Sequence, residues 1–176
     1  MERHLTSLPA VTTARLRIRR LEPTDTSAFH RMTNVPAITD KIHFLQSPFT
    51  MEAAETLLRG NEKGLDCFWG VWRRDSADLA GTVGTHLRGA DEIEIGYWFS
   101  PALHGCGYAT ESVSSILPML INTYPTRRIH AECRPENIAS WRLLERLGFK
   151  NTGQNGDRPG RLKLIYPATR EAAHES

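Results

Sequence analysis

The residues with the clearest chemical potential lie in one run, Glu92-Ile93-Glu94-Ile95-Gly96-Tyr97-Trp98-Phe99-Ser100-Pro101, continued by Leu103-His104-Gly105-Cys106-Gly107-Tyr108-Ala109-Thr110-Glu111-Ser112. Apolar side chains alternate at Ile93, Ile95, Tyr97 and Phe99, so the first half reads as a strand that Pro101 ends, and a helical pattern follows the two glycines at once. The start of a helix leaves backbone N–H groups without partners and carries the positive end of the helix dipole, a combination suited to phosphate or pyrophosphate. Gly105 and Gly107 let the chain take positive φ and let a ligand lie directly against the backbone. A Gly-x-Gly also closes many strand-to-helix turns that bind nothing, so the rest of the chain has to decide. Cys106 stands at the same helix start, where a thiol's pKa falls, but no His with Asp or Asn is spaced to complete a nucleophilic triad around it.

The elements that would position this run can be read in order. Residues 1 to about 13 show no period and are expected to form a loosely held tail. Arg15-Leu16-Arg17-Ile18-Arg19 alternates strictly, a strand with Leu16 and Ile18 inward and three arginines on a solvated face. A helix starts at Pro23-Thr24-Asp25, residues 34–48 read as an irregular loop rich in apolar residues, and Thr50 opens a second short helix. Strands near Cys67–Trp72, Leu79–Leu87 and Glu92–Phe99, joined by polar turns, predict an antiparallel meander. The helix after the glycine loop contains Pro118, which removes a hydrogen bond at a cost of about 3 kcal/mol and predicts a kink or an early end. Arg128–Cys133 is a further strand, and Asn137 starts a helix that Gly148 terminates. Strand, helix, strand at this spacing predicts parallel pairing of the Glu92 and Arg128 strands, with residues 161–166 closing the sheet.

The 176 residues suit one domain with a substantial core; 40% hydrophobic and 24% charged residues are those of an ordinary globular protein. A formal net charge of +2, spread along the chain, argues against a nucleic-acid or membrane partner. No apolar run of signal-peptide or membrane-span length is present, so a cytoplasmic location is the expectation. Cys67, Cys106 and Cys133 are odd in number and lack metal-ligand spacing, so neither a disulfide framework nor a metal site is expected.

The segment His104 to Ala109 resembles the acyl-CoA pyrophosphate loop of the GNAT N-acetyltransferases, with Gly107 and Ala109 at its fixed positions and His104 where Gln or Arg is usual. Preceded by Glu94-Ile95-Gly96-Tyr97-Trp98, it is similar to the branch that includes the ribosomal-protein N-terminal acetyltransferases. A second motif, Asn137-Ile138-Ala139-Ser140 followed by Leu147-Gly148-Phe149, strengthens the resemblance, although an N-cap and a C-cap glycine would explain it locally. The resemblance implies an α+β (mixed α/β) GNAT fold over residues 13–167 as a single domain, with residues 1–12 and 168–176 as tails. Its central sheet would be mixed and mostly antiparallel, with a splayed parallel strand pair and flanking helices.

The implied activity is transfer of an acetyl group from the cosubstrate acetyl-CoA to a primary amine by direct attack, without metal. The acceptor would be a small-molecule amine or a protein N-terminus, and a homodimer is compatible with the family. A CoA-binding sensor or scaffold without turnover is the alternative. Implied CoA-binding residues are Tyr97, Trp98, Phe99, His104, Gly105, Cys106, Gly107, Tyr108, Ala109, Thr110, Asn137 and Ser140, while as substrate contacts Trp98 and Trp141 read as packing groups. Some relatives protonate the thiolate with a Tyr four residues beyond the Ser; here that position is Leu144. Ser140 is then the candidate acid, with Tyr97, Tyr108 and Tyr124 as alternatives. Glu94 stands where relatives carry the base that frees the amine, with Glu92 on the same strand face; both carboxylates could equally pair with neighbouring arginines.

Overall fold

Leu16 and Ile18 are fully buried and Arg17 is exposed, so the expected alternation is realised as a strand. In the computed structural model, which describes residues 3–60 and 64–167, this strand is β2 (Leu16–Arg20), preceded by a two-residue strand β1 (Val11–Thr12). The expected tail is therefore not loose where it is described. Leu5 and Leu8 enter the core, and the Leu5 N–H donates to the Gly64 carbonyl at 3.2 Å. Residues 168–176, the other expected tail, lie outside the described residues.

After β2 come helices α1 (Thr26–Thr33), α2 (Pro36–Thr39) and α3 (Met51–Arg59). The loop expected over 34–48 thus contains one helical turn, and its apolar surplus is explained by Ile38 and Leu45, which are buried. The meander follows as β3 (Asp66–Arg73), β4 (Leu79–Arg88) and β5 (Glu92–Phe99), all antiparallel. Helix α4 (Tyr108–Thr123) crosses to β6 (Arg128–Cys133), and α5 (Ile138–Arg146) leads to β7 (Lys150–Asn155) and β8 (Leu162–Tyr166). Among the described residues eight strands lie in the order β1-β2-β3-β4-β5-β6-β8-β7, and every pairing is antiparallel except β5 with β6.

Strand alternation divides the side chains between two cores. Ile93 and Ile95 of β5 join Ile116 and Leu120 of α4 on one face, while Phe68 and Trp98 join Phe29 of α1 on the other. Each fully buried aliphatic side chain contributes about 1.5–3 kcal/mol. That packing carries α4 past Pro118 to Thr123, against the expected early end. Pro118 and Ser114, whose carbonyl loses its helical partner, both lie on the exposed side, where water can satisfy it.

Candidate active site

The parallel ladder of β5 and β6 pairs Glu92 with Arg128, Ile93 with Ile129 and Glu94 with His130, and there it stops. Beyond Glu94 the β6-facing edge of β5 has no strand partner among the described residues, which opens a wedge between the two strands. Side chains reach this wedge from both faces of the sheet.

On the α4/α5 face, Asn137 caps α5 by accepting the Ser140 N–H on its Oδ1 at 3.3 Å. The cap fixes where the helix begins and therefore where Ser140 stands. The Ser140 Oγ lies 2.7 Å from the Tyr97 hydroxyl on β5. Burial pushes the Tyr97 phenol up, against the opposing effect of the Ser140 hydrogen bond, so it keeps its proton at neutral pH. Cys133 is buried beside them, and burial likewise raises its thiol.

The glycine loop ends at the same face. Gly105 and Gly107 have φ of +81° and +80°, conformations that side chains with a Cβ adopt at a cost. Among the described residues no side chain caps α4, which leaves the N–H groups of its first turn without a side-chain partner, and a Cβ at Gly105 would meet nothing within 4 Å. Arg15 braces the loop: its Nη1 donates to the Cys106 carbonyl at 2.8 Å, its Nε to Glu111 Oε2 at 2.7 Å, and its guanidinium sits 4.6 Å over the Tyr108 ring. The Thr13 hydroxyl donates to Glu111 Oε1 at 2.6 Å. Burial pushes the Glu111 carboxyl up, but the bonds from Thr13 and Arg15 outweigh it and hold it below the usual carboxylate range. The acidic side chain of the first turn stays ionised, but its charge is offset by the Arg15 guanidinium, which weakens its repulsion of an arriving anion.

On the opposite face, Glu94 is 6% exposed. Arg88 Nε donates to its Oε2 at 2.9 Å and Arg158 Nη2 to its Oε1. Burial raises this carboxyl, yet Arg158 and Arg88 outweigh burial and keep it below the usual range. Arg158 also reaches Glu132 Oε2 at 3.2 Å, and Lys163 Nζ holds Glu92 at 3.1 Å. His130 is 1% exposed, and among the described residues neither ring nitrogen has a hydrogen-bond partner. Burial, then the Lys163 charge, lowers its pKa, so the imidazole is neutral at pH 7.

The Acetyltransferase (GNAT) domain family matches residues 15–150 of the chain. The chain belongs to the GNAT acetyltransferases. The uncharacterized N-acetyltransferase YnaD of Bacillus subtilis is 31% identical over 144 residues, covering 81% of this chain and 84% of that protein. A GNAT-family acetyltransferase structure from Bacillus anthracis superposes with a TM-score of 0.73 at 25% identity, over 90% of this chain and 96% of the other. The ribosomal L7/L12 alpha-N-protein acetyltransferase RimL, solved with coenzyme A, shares the fold with a TM-score of 0.78 at 17% identity, over 89% and 96%. The chain is accordingly an acyltransferase of the kind that moves acetyl from acetyl-CoA to an amine.

Within this GNAT domain, Gly105, Gly107, Tyr108, Ala109 and Thr110 form the open start of α4, and Tyr97, Asn137 and Ser140 converge on the wedge. Other candidates point elsewhere. Trp98 turns its indole to the α1 side and donates to Thr33 Oγ1 at 3.0 Å, because it is one residue out of phase with Tyr97. Phe99 is core, and the His104 imidazole folds back to within 3.3 Å of the Phe99 carbonyl. Tyr124 is buried at the far end of α4, where its hydroxyl donates to the Arg3 carbonyl. Leu144, at the relatives' tyrosine position, is 1% exposed and packs in the core, and the phenol at Ser140 comes from β5 instead. Arg15 is exposed, as expected, and also braces the loop, a role the sequence does not mark; nor does it mark Arg158 or His130. Strict alternation in residues 15–19 told where Arg15 stood but not what it met.

Proposed function

We propose that acetyl-CoA lies with its pyrophosphate on the uncapped start of α4 and its thioester in the wedge, and that the acceptor amine enters from the Glu94 face. The observation that carries this reading is the Tyr97–Ser140 hydroxyl pair, set at 2.7 Å where the strands part. Residues 105–110 would hold the phosphates through backbone N–H groups, and the free edge of β5 would pair with the pantetheine amides. Acetyl-CoA supplies an activated acyl group; the chain's own residues orient it and manage protons. Ser140, with Tyr97 behind it, donates a hydrogen bond or proton to the departing sulfur. This intact donor pair favours turnover over a silent CoA sensor.

Of the two roles open to Glu94, base for the amine or partner of neighbouring arginines, its contacts support the second. A buried carboxylate committed to two guanidinium groups, with its pKa held down, is a weak proton acceptor, so we assign it to holding Arg158 and Arg88 in place. Little base strength is needed for an α-amine, whose deprotonation at pH 7 costs about 1–1.5 kcal/mol, against about 4–5 for a lysine. We therefore favour an α-amine acceptor, within a single domain over residues 13–167. Acetyl-CoA should raise the melting temperature, and thiol release should follow addition of an amine from a panel of peptide N-termini, lysine side chains and small amines. Absence of stabilisation at saturating acetyl-CoA would remove the proposal.

A further inference from the structure

The Glu94 side of the wedge is ringed by arginines that differ in how well they are matched. Arg158 is satisfied by Glu94 and Glu132. Arg161 and Arg134 are not: among the described residues neither has a carboxylate within ion-pair distance, and the Arg161 Nη2 makes only a long hydrogen bond, to the Lys41 carbonyl at 3.5 Å.

Their position follows from the strand register. Arg134 directly follows Cys133, the last residue of β6, and Cys133 pairs with Leu162, the residue after Arg161. Both guanidinium-bearing residues therefore flank the end of β6, beside the wedge. The Arg134 Nη1 approaches to 3.6 Å of the point where a Cβ on Gly160 would stand, which places it over the turn that carries Arg158 and Arg161. The nearby acids compensate them only in part: Glu132 acts on Arg161 at a distance, but Glu94 and Glu132 are engaged by Arg88 and Arg158, and Glu136 and Asp157 are exposed. Burial, then the charges of Arg158 and Arg134, depresses the Arg161 guanidinium pKa, the mark of crowded cations. His43, brought over from the 34–48 loop, is lowered by burial and then by the charges of Arg158 and Arg161, so its imidazole is neutral at pH 7 and adds no charge of its own.

We infer that the acceptor carries a carboxylate close to its amine and that Arg161, with Arg134, receives it. This rests on the acetyltransferase reading above and narrows its substrate class. A half-buried guanidinium without an anion gains most from a carboxylate, which it binds through two parallel hydrogen bonds, while a polyamine approaching the same mouth meets like charge. The carboxylate can belong to a free amino acid or to an acidic residue near a peptide N-terminus, and both present the same chemistry.

The test uses the full chain with acetyl-CoA and two matched pairs of acceptors. Alanine against alaninamide reads a free α-carboxylate; peptide amides beginning Ala-Glu against Ala-Gln read an acidic side chain. At least one pair should favour the acid by about tenfold or more in kcat/KM, with spermidine a poor acceptor, and Arg161→Gln should bring that ratio close to one. Acetyl-CoA should still raise the variant's melting temperature, which establishes that it is folded. A ratio near one in both pairs for the native chain, or a preference that survives the double substitution Arg134→Gln with Arg161→Gln, would overturn the inference. Should no acceptor release thiol, the reading beneath fails separately; calorimetric binding, in the presence of CoA, of the N-acetylated products of both pairs (N-acetylalanine against its amide, and the N-acetylated Ala-Glu against Ala-Gln peptide amides) still reads the charge preference, and equal or undetectable binding in both pairs counts against it.

Discussion

The hydroxyl groups of Tyr97 and Ser140 come within 2.7 Å of each other although 43 residues separate them in the chain. One hydroxyl can donate to the other, which leaves a single proton directed into the wedge. Ser140→Ala should lower kcat by roughly 30- to 1,000-fold, corresponding to about 2–4 kcal/mol for a lost donor to developing charge. Tyr97→Phe should cost less, and the double variant should be little worse than Ser140→Ala alone, because the two act in series. Steady-state kinetics across pH would check this: the penalties should persist at high pH, and multiplicative effects would show that the hydroxyls act separately.

Glu94→Gln removes one charge from between two guanidinium groups. Breaking a fully buried pair costs about 3–5 kcal/mol, but Arg88 is 40% and Arg158 24% exposed, so a loss of about 1–3 kcal/mol is expected. Activity should fall by a factor that raising the pH does not restore. Recovery of the variant at high pH would return Glu94 to the role of proton acceptor.

Gly107→Val places a β-branched residue at φ +80°, with its Cβ 3.4 Å from Arg15 Nη2. The backbone strain is about 1–3 kcal/mol, and the branch would stand on the surface where phosphate is held. The Michaelis constant for acetyl-CoA should rise at least tenfold, with a smaller effect on kcat. An unchanged constant in folded protein would remove the phosphate cradle from this loop.

His130 sets a pH dependence of stability. Its folded pKa lies below the ordinary 6.5, so between 6.5 and that lower value the unfolded chain binds the proton and the native chain does not. Stability should therefore begin to fall as pH drops below about 6.5. Glu94, also depressed, adds its loss only below its ordinary 4.5, and Asp25 and Asp66 theirs only below 3.8. His130→Phe should flatten the curve between pH 6.5 and 4.5 in thermal melts; His43, also lowered, supplies the remaining slope.

Local rules made much of this fold legible. Alternation at Leu16 and Ile18, the meander, the Asn137 cap and the glycine loop all depend on neighbours in sequence. What alternation could not say is which face a polar residue would share with whom. Arg15 and Glu111 are 96 residues apart and Arg158 and Glu94 are 64 apart, so their pairing depends on strand order, which no local period encodes. Leu5 and Leu8 escape such rules because two isolated leucines define no period, and the early end that Pro118 allowed does not occur because the cost of a lost hydrogen bond is smaller when the freed carbonyl faces water.

β8 is the last strand of the described residues but sits inside the sheet, between β6 and β7. During synthesis, β6 is made more than two dozen residues before the strand that covers its outer edge, so that edge stays available to foreign strands until residue 166 has left the ribosome. The same late arrival delivers Arg158 and Arg161. A nascent or C-terminally clipped chain would thus own its cofactor loop while lacking both the guanidinium clamp on Glu94 and the sheet's closing strand, and it would be the species most exposed to aggregation and to quality-control proteases.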